Sequence, residues 1–133
     1  MGDLSKNFSL SEFKCKGKDC NCGEMPNDVL DNIKIVAEML QIVRNRLNKA
    51  ITINSGYRCE YHNDVVVKGS KNSQHKLGKA SDIVVDGMSP NKVFSILNKM
   101  MLDEEIKLGG LGLYNTFVHF DIRGYISRWD NRS

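Results

Sequence analysis

The segment Phe117-Val118-His119-Phe120-Asp121-Ile122 limits the possible folds more tightly than any other stretch of the chain. Its alternation has a period of two, which marks a strand with one face buried and the other open. Val118, Phe120 and Ile122 are assigned to a core. Phe117, His119 and Asp121 then share the opposite face, so an imidazole and a carboxylate stand on one side, their Cα atoms roughly 6 to 7 Å apart. Other segments must supply the layer that covers the apolar side.

Helical periodicity supplies that layer. From Asn27 to Lys49 the apolar residues Val29, Leu30, Ile33, Val36, Ala37, Leu40, Val43 and Leu47 recur at helical spacing and predict one long amphipathic helix. Pro26 and Asp28 suit its beginning, and Arg44, Arg46 and Lys49 suit the negative end of its dipole. Ile51-Thr52-Ile53-Asn54 alternates as a short strand, which Ser55-Gly56 turns. The β-branched run Ile83-Val84-Val85 predicts a second strand ending at Asp86-Gly87. Ser89 and Pro90 open a second helix with Val93, Phe94, Leu97 and Met101 as its buried stripe. Gly109-Gly110 begins a segment, Leu111 to Tyr114, expected to form a hairpin with Phe117 to Ile122 across Asn115-Thr116. Arg128-Trp129 is expected to cover one side of the core. This order predicts an α+β fold, with helices packed on an antiparallel sheet.

A length of 133 residues fits a single domain over 1–133 with one core. Residues 1–26 read as an N-terminal loop segment anchored by Phe8, Leu10 and Phe13. A formal charge of +3 is too small an excess to indicate an anionic partner. Neither a concentrated basic stripe nor an aromatic stacking pattern is present, so no nucleic-acid partner is expected. No run reaches transmembrane length, and Met1 to Lys6 lacks the apolar core of a signal peptide, so export is expected to use another route. Cys15, Cys20, Cys22 and Cys59 leave open disulfides, a small structural metal site, or neither. The Cys-x-Cys spacing is too tight for the usual zinc knuckle. Reduced thiols, or one bridge from the N-terminal loop to Cys59, is the preferred reading.

The densest chemistry lies in Ser73-Gln74-His75-Lys76-Leu77-Gly78-Lys79-Ala80-Ser81-Asp82. His75 and Asp82 flank a Gly-bearing bend, and imidazole and carboxylate suit zinc. Two ligands do not complete a site, and His119 on its half-buried strand is the best third. His75, Asp82 and His119 therefore predict a zinc centre with an open fourth position for water. His62 is taken as an exposed histidine. Gly78 and Ala80 are assigned to backbone geometry and close packing.

These residues carry a resemblance. Ser-x-His-x-x-Gly-x-Ala-x-Asp, followed by a Phe-Val-His-x-Asp strand, resembles the signature of the zinc D-alanyl-D-alanine carboxypeptidase and hedgehog-type metallopeptidase family. Ser55-Gly56-Tyr57-Arg58 and Asn63 resemble the segment before that motif, and Phe8 to Phe13 resembles the entry segment of small phage members. The resemblance spans nearly the whole chain. It implies a hedgehog/DD-peptidase-like fold and a zinc peptidase that cuts stem or cross-link peptides of bacterial peptidoglycan. The expected setting is a phage lysin or a virion component, acting as a monomer without a membrane. Arg58 matches the family's substrate-clamping arginine. Ser73 is expected near the metal or substrate, and Tyr114 is a candidate donor to the oxyanion.

One departure stands out. Better-known branches carry an acidic residue three positions before the last zinc histidine, and here that position is Thr116. Asp121 is the nearest substitute base. Its preferred role is to accept a hydrogen bond that fixes the tautomer of a ligand histidine. The departure also motivates an alternative, a catalytically inactive zinc-binding module for cell-wall or virion binding.

Overall fold

A computed structural model of the chain describes residues 3–16, 25–59, 63 and 73–132. Helix α1 spans Asn27–Leu47, strand β1 Ile51–Ser55, β2 Ala80–Val85, helix α2 Pro90–Leu102, β3 Gly110–Leu113, β4 Val118–Asp121 and β5 Ser127–Asp130. Two 3-10 turns, Leu10–Glu12 and Gln74–Leu77, precede α1 and β2 respectively. The strands form one sheet in the order β1-β2-β4-β3-β5. Every neighbouring pair is antiparallel except β3 and β5, which run parallel. The fold is α+β, as the order of elements implied.

Local chemistry sets the helix ends. Asn48 closes α1 in the left-handed region at φ 52°, with its N–H on the Arg44 carbonyl, a geometry Asn tolerates better than most residues. Ser89 accepts from the backbone N–H of Lys92 at 3.3 Å, and Pro90 follows it where a missing N–H costs nothing.

The sheet register separates core from site. Ile53 pairs with Ile83, Ile83 with Val118, and Val118 with Leu113, so these side chains form one apolar row across four strands. Ile33, Val36, Ala37, Leu40 and Val43 of α1 and Val93, Leu97, Met100 and Met101 of α2 join that face in a single cluster. The next row pairs Asp82 with His119, His119 with Gly112, and Gly112 with Trp129. Because successive residues of a strand point to opposite faces, this row looks away from the helices.

Phe8 and Phe13 are buried and Leu10 packs at the margin, so the N-terminal segment is anchored as expected. Phe13 then accepts from the Tyr57 backbone at 2.8 Å, just past the end of β1. The expectation for Arg128-Trp129 is half corrected. Arg128 reaches the α2 side, donating to Asn98 at 2.8 Å and the Gly109 carbonyl at 2.7 Å, whereas Trp129 lies on the opposite face. Cys20, Cys22 and His62 lie outside the described residues. Among the described residues, no helix is long and apolar enough to cross a membrane.

Candidate metal centre

Asp82 and His119 are direct partners across the β2–β4 ladder, so the fold itself brings this carboxylate and imidazole together. His75 arrives from the 3-10 turn. Ser73 caps that turn, its hydroxyl accepting from the His75 backbone at 3.2 Å. Gly78 ends it at φ 73°, where a Cβ would stand 2.8 Å from both Val29 Cγ1 and the Val29 carbonyl. The turn therefore lies tight against α1, and His75 points into the sheet.

His75 Nε2 lies 3.2 Å and His119 Nδ1 3.3 Å from Asp82 Oδ1, and one donor atom from each residue lies within 4.8 Å of the other two. Adjacent ligands on a tetrahedral ion with bonds of about 2.0 Å stand roughly 3.3 Å apart. The donor set and its spacing thus fit zinc.

Each donor is fixed from behind. His75 Nδ1 is 2.7 Å from the Gly56 carbonyl, so the hydrogen sits on Nδ1 and the Nε2 lone pair faces the other ligands. His119 is arranged the other way round, with Nε2 against Asp121 Oδ2 at 2.7 Å and Nδ1 turned to the centre. Asp82 Oδ2 accepts from Arg58 Nη2 at 3.1 Å, leaving Oδ1 to the histidines. Arg58 is itself held by Ser55 Oγ at 3.1 Å and Asn63 Oδ1 at 3.3 Å.

Burial alone would raise the Asp82 pKa, but the hydrogen bonds and charges of His119 and His75 hold it well below the usual carboxylate range. Asp121 is likewise depressed: His119, Arg123 and the Gly110 N–H together overcome its burial. Burial opposes charge on His119, yet Asp121 and Asp82 outweigh it and raise the pKa. The metal-free centre is therefore an anion-rich cage around a readily protonated imidazole.

Asp121 does not line the open groove. Its side chain is fully buried behind His119, where it accepts from Gly110 N at 2.7 Å and from Arg123 Nε at 2.9 Å and Nη2 at 2.7 Å. The groove, of about 590 Å³, is lined by Arg58, Ser73, His75, Asp82 and His119 on one side. Gln74, Tyr114, Phe117, Arg123, Tyr125 and Trp129 complete the lining. Such a volume suits a small ligand or a short peptide. Tyr114 stacks on Phe117 with ring centroids 4.4 Å apart, and its hydroxyl accepts from Trp129 Nε1 at 3.0 Å.

Arg123 and Trp129 were not singled out for the site by sequence reasoning. Trp129 reaches His119, ring centroids 4.9 Å apart, because Gly112 between them has no side chain; a Cβ there would lie 2.3 Å from Trp129 Nε1. The run Gly109-Gly110-Leu111-Gly112 was the available signal, since repeated glycine in a strand marks close approach by another group.

Residues 6–121 match the family model described as Peptidase M15. A search of curated proteins finds no match. The matched span contains His75, Asp82 and His119 and stops short of Arg123 and Trp129.

Proposed function

The chain belongs to the peptidase M15 family of zinc D-alanyl-D-alanine carboxypeptidases, and from that premise we propose that it hydrolyses stem or cross-link peptides of bacterial peptidoglycan. The proposed setting is a phage lysin or a virion-associated enzyme. The observation that carries this reading is the convergence of His75 Nε2, Asp82 Oδ1 and His119 Nδ1 at the floor of a groove, each oriented by a hydrogen bond from behind.

His75, Asp82 and His119 would hold the ion. Zinc, when bound, supplies Lewis acidity that polarises a carbonyl and lowers the pKa of water toward about 7. Arg58 fixes Asp82 through Oδ2 and lines the groove, so its remaining N–H groups are placed to take a substrate carboxylate, of which wall peptides have many. Tyr114 receives hydrogen bonds from Trp129 and Asn131, so its own hydrogen is left to donate to the developing oxyanion. Ser73 sets the turn that carries His75. Asp121 acts as a positioning residue, holding the hydrogen on His119 Nε2; a buried carboxylate with so depressed a pKa is a poor proton acceptor.

A second reading is favoured by one observation. Among the described residues lining the groove, Asp82 is the one carboxylate, and it belongs to the donor set. Thr116 is exposed in the β3–β4 turn. A zinc-stabilised module that binds wall or virion components without turnover matches that deficit.

One experiment separates the two. Zinc-loaded protein is incubated with muropeptides from several wall types, with a chelator control, and products are read by mass spectrometry. Zinc-dependent release of peptide fragments is expected. Binding of the fragments without cleavage of any wall type would favour the module.

A further inference from the structure

The groove carries a second guanidinium, that of Arg123, which the proposed reaction leaves unused. Arg58 reaches Asp82 on β2 and Ser55 on β1. Arg123 sits instead over β3 and β5. A Cβ at Gly110 would stand 2.9 Å from its Nε, and its Cζ is 5.3 Å from the centre of the Trp129 ring. In the order β1-β2-β4-β3-β5, the strand that bears His119 lies between the two arginines. Strand spacings of about 4.8 Å from β2 to β4 and from β4 to β3 put their charges roughly 10 Å apart, with the metal donors between them.

Arg123 is held for binding along one edge. Its Nε and Nη2 donate to Asp121 at 2.9 and 2.7 Å, and the Tyr125 ring centre is 5.8 Å from its Cζ, within cation–π range. A guanidinium has five N–H donors, and this fork uses only the Nε side; Nη1 takes no part in it. With 18% of the side chain exposed, the outer edge is open to the groove. Arg58 and Arg123 offset Asp82 and Asp121, so a bound divalent ion would leave the groove net positive.

We propose that Arg123 is a specificity-determining residue that grips a second substrate carboxylate, so that the groove selects peptides with one carboxylate on each side of the bond at the metal. This rests on the peptidase reading above and narrows it from wall peptides in general to those with acidic groups on both flanks. An extended chain rises about 3.3 Å per residue, so roughly 10 Å corresponds to carboxylates about three residues apart. Because Asp121, Tyr125 and Trp129 already fix the guanidinium, little side-chain entropy is lost when it takes a ligand.

The probe is an acetylated tetrapeptide, glutamate followed by three alanines with a free C-terminal carboxylate. A ketomethylene group replaces its central amide so that it cannot be cut. Calorimetry on the zinc-loaded full chain compares it with two singly neutralised forms, one with glutamine for glutamate and one with an amidated C-terminus, each made from L and from D residues. Wild type should bind the doubly charged probe best, and each neutralisation should weaken binding on the order of 10-fold. In Arg123→Gln one neutralisation should lose its effect while the other keeps it, and Arg58→Gln should show the reverse pattern. Arg123→Lys, which keeps the charge and loses the fork, should shrink the same discrimination as Arg123→Gln. A role confined to holding Asp121 would lower all three affinities by one factor, and that result would overturn the proposal. So would wild type binding the three probes equally, a readout independent of how any variant folds. Since the probes are never cleaved, carboxylate discrimination without muropeptide cleavage sinks only the peptidase reading, and cleavage without discrimination sinks only this one.

Discussion

His119 works through both ring nitrogens, Nδ1 facing Asp82 and Nε2 facing Asp121, so its tautomer is decided by the buried carboxylate behind it. Asp121→Asn is therefore expected to lower zinc affinity about 10- to 100-fold, with activity returning at saturating zinc. Metal titration followed by assay in excess zinc checks this; activity still lost at full occupancy would make Asp121 the base. Tyr114→Phe keeps the stack on Phe117 and removes the proposed oxyanion donor. Its kcat should fall on the order of 10²-fold while KM changes little, as steady-state kinetics on a cleaved muropeptide would show. The grouping of His75, Asp82 and His119 was legible because two short motifs each carry metal-binding residue types at definite positions. The bond from Arg58 to Asp82 was not, since it joins side chains 24 positions apart through a contact that only the assembled sheet creates.

At the level of elements, the wall opposite the ligands depends on β5 lying parallel to β3. Gly112→Ala places a methyl where the indole of Trp129 rests, and is expected to cost about 1–3 kcal/mol by overpacking. Trp129 is the one tryptophan of the chain, so its fluorescence should report the displacement directly, alongside a denaturant melt. Both helices and the β3–β4 hairpin were readable from periodicity, because their apolar residues recur locally at 3.6 or 2. Strand β5 was not. Ser127-Arg128-Trp129-Asp130 has no apolar alternation, and its pairing with β3 is long-range and parallel rather than a hairpin. Arg128 also serves as a buried-side residue by covering α2, which a charge-based reading of the strand would place in solvent.

For the molecule as a whole, the charged centre links stability to pH and to metal. In zinc-free protein, Asp82 and Asp121 have depressed pKa values, so their contribution is present above the unfolded value near 3.9 and is lost as pH falls through their folded values. His119 is raised, so its contribution is complete below about 6.5 and disappears as pH rises through its folded value. Urea melts in chelator should therefore give greatest stability between roughly pH 4 and 6.5. Zinc requires His119 to release its proton, so adding it should recover the alkaline side, by about 2.7 kcal/mol at a hundredfold excess over Kd. A zinc effect that is as strong at pH 5 as at pH 8 would contradict this coupling.

The direct pairing of Asp82 with His119 would also make a bound ion an inspector of strand alignment. Slipping β2 by a single residue against β4 would turn every side chain of the strand over and bring Ser81 or Ile83 opposite His119 in place of the carboxylate. Misaligned chains would then lack a competent cage, and metal capture would draw the population toward correctly threaded molecules during folding. Loading the metal and checking the sheet's alignment would then be one event.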